Sequence, residues 1–158
     1  MHKTLKGFTL IELIVVIGII AILGAITIVA VNPARQFSQA RNAVRQSDTL
    51  AILNAVHQYA ADNNGSFPAT VAGLTADAAA EEICDSTKVT ACPTGGIALN
   101  AVLSPVAYIS ALPRDPQQTA TTAQDTKYTI ARSAANVITV CAPNALTDTV
   151  VKTICATR

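Results

Sequence analysis

Hydrophobic and polar positions pass through three regimes along the chain. From Phe8 to Val31 apolar residues run on with a single charged interruption, Glu12. Apolar residues then recur at Phe37, Ala40, Val44, Leu50, Leu53, Val56 and Ala60, while Arg35, Gln39, Arg41, Arg45, Gln46 and Asp48 fall largely elsewhere around the turn. That spacing, near 3.6, predicts an amphipathic helix with one buried stripe. Asn32-Pro33 separates the two regimes, and because proline removes a backbone donor and clashes with the preceding turn, a kink is expected at Pro33. Asn63-Asn64-Gly65 supplies a left-handed C-cap and Pro68 prevents continuation. The pattern predicts one kinked helix from Phe8 to Asn63, about 84 Å long at the usual rise.

Beyond Pro68 the period is mixed before it becomes two. The alanine-rich stretch 76–83 suggests a short helix, Cys84 to Cys92 frames a polar loop, and Ala69 to Pro105 reads as an irregular connector. Ala107 to Leu112 suggests a helical turn leading into Leu112-Pro113-Arg114-Asp115-Pro116. Lys127 to Arg132 and Asn136 to Cys141 alternate around Ser133-Ala134-Ala135, which predicts a hairpin, and Thr149 to Cys155 adds a third antiparallel strand. A small antiparallel sheet covering the helical stripe gives an α+β head.

Such a helix is far longer than the head can bury. The uninterrupted segment Phe8–Val31 would rise about 36 Å against a hydrocarbon core of about 30 Å, so it can span a membrane. Lys3 and Lys6 precede it, which by the positive-inside tendency keeps the short N-terminus in the cytoplasm and the bulk of the chain outside. An ordinary secretory signal would be cut after its apolar core, whereas here the change of character, at Gly7, comes before it. The expected division is a leader at 1–7, a membrane and assembly helix at 8–31, and a head at 32–158.

Composition narrows the functions. Of the 158 residues 51% are hydrophobic and 13% charged, and because the apolar excess lies before residue 32, the remainder reads as one ordinary globular domain. A formal net charge of +1 provides no basic field, so nucleic acid is not an expected partner despite Arg35, Arg41 and Arg45. The four cysteines, Cys84, Cys92, Cys141 and Cys155, lack C-x-x-C spacing, and an even number behind a membrane segment points to disulfides in an oxidising compartment. Four cysteines allow three connectivities; the local one, Cys84 with Cys92 and Cys141 with Cys155, is expected because the second pair would staple the last two strands.

No enzyme is expected, and no cofactor. His2 lies in the leader, His57 reads as a solvated or capping residue, and neither stands in a recognisable relation to a nucleophile. Asp115 and Asp125, ten apart on a proline-bounded loop, read as turn residues rather than calcium ligands. Glu12 remains open on physical grounds. An ionisable group in lipid is a functional candidate, yet one so near the start of the segment could simply snorkel to the headgroups.

The string Lys6-Gly7-Phe8-Thr9-Leu10-Ile11-Glu12 resembles the class III signal of type IV prepilins and pseudopilins. The resemblance implies cleavage by prepilin peptidase after Gly7, methylation of the new N-terminal Phe8, and assembly guided by Glu12. Gln58 to Pro68 is similar to the helix end of many pilins, with one extra asparagine, and Leu112 to Pro116 resembles the L-P-x-D-P phrase of major pseudopilins. By this resemblance the chain is a subunit of a type IV pilus-like filament serving adhesion, motility or DNA uptake. Its partners are the membrane before assembly, prepilin peptidase, the pilus machinery and further copies of itself. Two other readings stand beside it: a type II secretion pseudopilin, and a single-span membrane anchor for a binding domain that never polymerises.

Overall fold

The computed structural model of the chain describes residues 7–85, 92, 95–103, 108–118, 125–147 and 150–158. Its elements are α1 (Leu10–Val31), α2 (Pro33–Asp62), α3 (Ala69–Ala72), β1 (Glu81–Cys84), β2 (Gly96–Ala98), α4 (Asn100–Leu103), β3 (Asp125–Arg132), β4 (Ile138–Thr147) and β5 (Val150–Thr157), an α+β arrangement. The chain divides into two compact units, Met1–Phe37 and Ser38–Arg158.

In the first unit the expected single helix is two helices, and Asn32 makes the break. Its φ of 46° is left-handed, a conformation that asparagine tolerates better than most residues and that ends α1. The same residue caps the next helix. Its carbonyl accepts from the Arg35 and Gln36 N–H groups at 3.1 and 3.4 Å, and its side-chain oxygen accepts from Arg35 at 3.4 Å. Pro33 is therefore the first residue of α2, where a missing N–H deprives the helix of nothing and the fixed φ suits the first turn.

In the second unit α2 buries Arg45, Thr49, Ile52, Leu53, Ala55, Val56 and Ala60, a stripe recurring every three to four residues. The stripe differs from the expected one before Leu53, whereas Leu53, Val56 and Ala60 are buried as expected. Phe37, Val44 and Leu50 are exposed, at 64%, 46% and 46%, whereas Arg45, expected on the solvated side, is fully buried. Phe37 lies outside this unit, and further along, the buried face is the one carrying Arg45 because partners for its guanidinium come from residues 70 and 72 positions away. The helix ends as read: Asn64 and Gly65 take φ of 54° and 82°, and the Gly65 N–H donates to the Ala60 carbonyl at 2.7 Å.

The sheet has five strands in the order β2-β1-β3-β4-β5, and it is mixed. β3, β4 and β5 form the expected antiparallel set, with the hairpin closed where the Ser133 N–H donates to the Val137 carbonyl at 2.9 Å. The supposed connector supplies the rest. No helix forms over 76–83; turns precede β1, which pairs antiparallel with β3 and parallel with β2, placing Ile83 opposite Ile97. Alanine-rich sequence favours helix locally, but the open edge of β3 satisfies the backbone of Glu81 and Glu82 instead. The helical turn expected at 107–112 is likewise displaced: among the described residues, helix occurs at Asn100–Leu103 and 108–112 is non-helical.

One core results. Ile52, Leu53 and Val56 of α2 join Ile83, Ile97, Leu99, Leu103, Tyr128, Ile130, Ile138 and Val140 in a single buried cluster. Disulfides join Cys84 to Cys92 and Cys141 to Cys155, the latter pair directly opposite each other across β4 and β5.

Candidate functional site

α1 buries none of its 22 residues within the chain. At about 1.5 Å per residue it rises about 33 Å, enough to cross a bilayer core of about 30 Å. Phe8 stands ahead of it, 91% exposed, and Gly7 has no neighbouring atom where a side chain would begin. Lys3 and Lys6 lie outside the described residues.

Thr9 and Glu12 close a capping box at the head of α1. Thr9, extended at φ −82° and ψ 151°, accepts the Glu12 N–H on its hydroxyl oxygen at 3.3 Å. In return Glu12 Oε2 accepts from the Thr9 N–H and from the Thr9 hydroxyl, each at 2.9 Å. Two N–H groups that the helix would leave unpaired are thus satisfied reciprocally. The Thr-x-x-Glu spacing was visible in the sequence and would have revealed this pair. Glu12 is thus held by its own chain through one carboxylate oxygen, and among the described residues no donor reaches its other oxygen, Oε1.

A second polar cluster lies inside the head, and sequence reasoning missed it. Arg45 Nε donates to Asp115 Oδ2 at 2.8 Å and its Nη2 to Asp115 Oδ1 at 2.9 Å, a bidentate pair, while Asn42 and Gln117 take further guanidinium donors at 2.9 and 2.6 Å. Asp115 is held in turn by its own loop, accepting the Gln117 N–H at 2.8 Å and donating its N–H to the Thr126 carbonyl at 3.0 Å. Beside the pair, the Tyr128 hydroxyl donates to Asp48 at 2.6 Å. Burial pushes the Asp48 carboxyl above the usual carboxylate range, the bond from Tyr128 works against that, and the nearby Asp115 charge adds to it. Burial, reinforced by the Asp48 carboxylate, likewise pushes the Tyr128 hydroxyl far above its ordinary value.

Asp115 is thus a core ion-pair partner as well as a turn residue: Arg45 engages both of its carboxylate oxygens, and its carbonyl accepts the Gln118 N–H at 2.8 Å. The Asp125 side chain lies outside the described residues. Among the described residues no group of three His, Cys, Asp or Glu side chains could hold a metal ion. His57 is half-buried rather than capping: it packs edge-on against Phe67 at 5.7 Å with Nε2 buried and unpartnered, while the Asn63 amide donates to the Tyr59 carbonyl at the helix end.

Residues 3–28 match the family model described as the prokaryotic N-terminal methylation motif. No curated protein and no solved structure matches the chain. The matched segment is the class III prepilin signal of type IV pilins and pseudopilins, and it supports reading the chain as a type IV pilin-like or pseudopilin precursor. Signal and apolar helix together fit a membrane-anchored precursor, and the motif implies processing by prepilin peptidase and assembly with pilus machinery.

Proposed function

We propose that the chain is the structural, non-enzymatic subunit of a type IV pilus-like extracellular filament, cut between Gly7 and Phe8 and assembled through α1. Residues 1–7 are then a removed leader, 8–31 the part that passes from membrane to filament, and 32–158 the head. The observation that carries the reading is an apolar helix of 22 residues with none buried in its own chain. Lipid covers such a surface before assembly, and the same surface of neighbouring copies covers it afterwards. Cleavage creates an ammonium group on Phe8, and the carboxylate of Glu12 on an adjacent, axially offset subunit is its partner. The Leu112-Pro113-Arg114-Asp115-Pro116 phrase favours the secretion pseudopilin as the second reading.

Intact-mass measurement on sheared surface filaments, combined with electron microscopy using an antibody to the head, tests this. The expected subunit is seven residues shorter than the precursor and sits along extended surface fibres. Short fibres confined to the periplasm favour the pseudopilin, and a chain found only as a membrane monomer defeats polymerisation. Glu12→Ala is expected to abolish filaments while leaving insertion and head folding intact, since removing one member of a buried charge pair strands the other.

A further inference from the structure

The chain turns sharply where α2 ends, and two side chains of that turn are left unengaged. Across Asn63-Asn64-Gly65-Ser66 the Ser66 N–H donates to the Asn63 carbonyl at 3.0 Å, and the two central residues, Asn64 and Gly65, take φ of 54° and 82°. Positive φ at both central positions is the pattern of a type I′ turn. The Gly65 N–H ties the turn back to the Ala60 carbonyl at 2.7 Å, so Asn64 holds the left-handed position after the helix that glycine usually fills. Asn64, Gly65 and Ser66 are all exposed. The Asn63 amide is engaged with the Tyr59 carbonyl, whereas among the described residues no partner holds the side chain of Asn64 or Ser66. Among the asparagines of the chain only Asn64 has a hydroxyl residue two positions on, with glycine between. Tolerance of left-handed φ accounts for Asn64 by itself, but glycine would serve there at least as well, and the cap makes no use of the Ser66 hydroxyl.

We propose that Asn64 is an N-glycosylation acceptor that receives an oligosaccharide from a lipid-diphosphate donor in the membrane. Asn-x-Ser with x other than proline, on a surface loop, is the pattern that such transfer reads. An amide nitrogen is a weak nucleophile because its lone pair is shared with the carbonyl, so transfer takes an enzyme that grips the amide and the hydroxyl two residues on together. Both are exposed here, and Gly65 between them lets the backbone bend into an enzyme groove. Asp62, exposed two residues ahead of Asn64, adds a carboxylate for a basic group of the transferase to engage. In the step itself Asn64 Nδ2 attacks the anomeric carbon of the donor sugar and gives one proton to a base of the transferase. The N–C bond forms as the C–O bond to the diphosphate breaks, and the lipid diphosphate leaves with that electron pair. The proposal rests on the reading that the head lies outside the cytoplasmic membrane, the side on which its disulfides form.

The experiment purifies the full chain from the membranes of its own host cells and reads intact mass together with the mass of the peptide containing Asn64. Protease added outside cells stripped of their outer layers checks in parallel which side the head occupies. A sugar-sized mass excess on Asn64 is expected, lost completely in Asn64→Gly and in Ser66→Ala and kept in Ser66→Thr. Asn64→Gly retains the left-handed cap, so an unchanged denaturant midpoint shows that its loss of mass is not a loss of fold. An Asn64 peptide of unmodified mass in a head that the protease reaches overturns the proposal and leaves the orientation standing. A head that the protease cannot reach overturns the orientation, and the proposal falls with it. A mass excess that survives Asn64→Gly places the modification on another residue and overturns the proposal as well.

Discussion

α1 and the head portion of α2 are both helices rich in apolar residues, and they treat their side chains in opposite ways. Isoleucine, valine and leucine line every side of α1 and none is buried; α2 from Arg45 onward buries a narrow stripe whose first member is a guanidinium. Side chains are buried by the partners they have, and polarity only sets the cost of burial without them. Arg45 finds Asp115, Asn42 and Gln117 within its own chain. The partners of Ile17 or Ile20 must come from lipid or from other copies.

The largest break in this comparison comes from removing a partner. Asp115→Ala leaves the Arg45 charge buried and unpaired, so the head is expected to lose about 3 to 5 kcal/mol against denaturant, with membrane insertion unchanged. Replacing the pair together, Arg45→Met with Asp115→Leu, is expected to recover most of the loss, because well-packed apolar groups of similar volume serve a core as well as an ion pair. Failure of the double variant to recover would show that the polar cluster also specifies where the 112–118 loop docks.

Truncating an apolar side chain in each helix sharpens the contrast. Leu53→Ala is expected to destabilise the head by about 2 to 5 kcal/mol, since it opens a cavity in the core. Ile20→Ala removes comparable apolar surface from a side chain that is 62% exposed, and is expected to leave head stability unchanged. A measurable loss of head stability from Ile20→Ala would mean that α1 supports the head. Next in size is the staple on the last strand: replacing Cys141 and Cys155 by serine releases a link 14 residues apart in sequence, worth about 3 kcal/mol in the loop-entropy account. Denaturant midpoints of oxidised and serine forms check that value.

How far the sequence could be read follows the range of the interactions. α1, the Asn64-Gly65 cap and the β3–β4 hairpin rest on contacts a few residues long, and each was legible. So was the Thr9-x-x-Glu12 spacing, although its meaning needed the bonds themselves. β1 and β2 were hidden because their hydrogen bonds come from β3 and from each other across 12 or more positions, which overrides the helical preference of the alanines before them. Arg45 and Asp115 lie 70 residues apart, and each is locally plausible as a surface residue. No local pattern distinguishes a cation that will be buried from one that will not.

The smallest expected effect concerns Asp48, which shares the Arg45 neighbourhood but has a tyrosine hydroxyl rather than a cation as its partner. Its folded-state pKa is raised, chiefly by burial, so the folded head holds this proton more tightly than the unfolded chain does. By linkage the charged form weighs against folding at neutral pH, and that penalty disappears as pH falls through the folded pKa toward the unfolded value of about 3.9. Asp48→Asn keeps an oxygen to accept from Tyr128 and removes the charge. It is expected to stabilise the head at pH 7 by ~1 kcal/mol or less, within the usual worth of one hydrogen bond. The gain should shrink steadily on acidification, because the wild-type carboxyl is then neutral as well. Parallel denaturant titrations of both forms from pH 7 to pH 4 isolate the Asp48 contribution, since every other titrating group cancels in the difference. A gain that grows toward acid would reverse the sign, and would mean that the Tyr128 hydrogen bond to the carboxylate outweighs its burial.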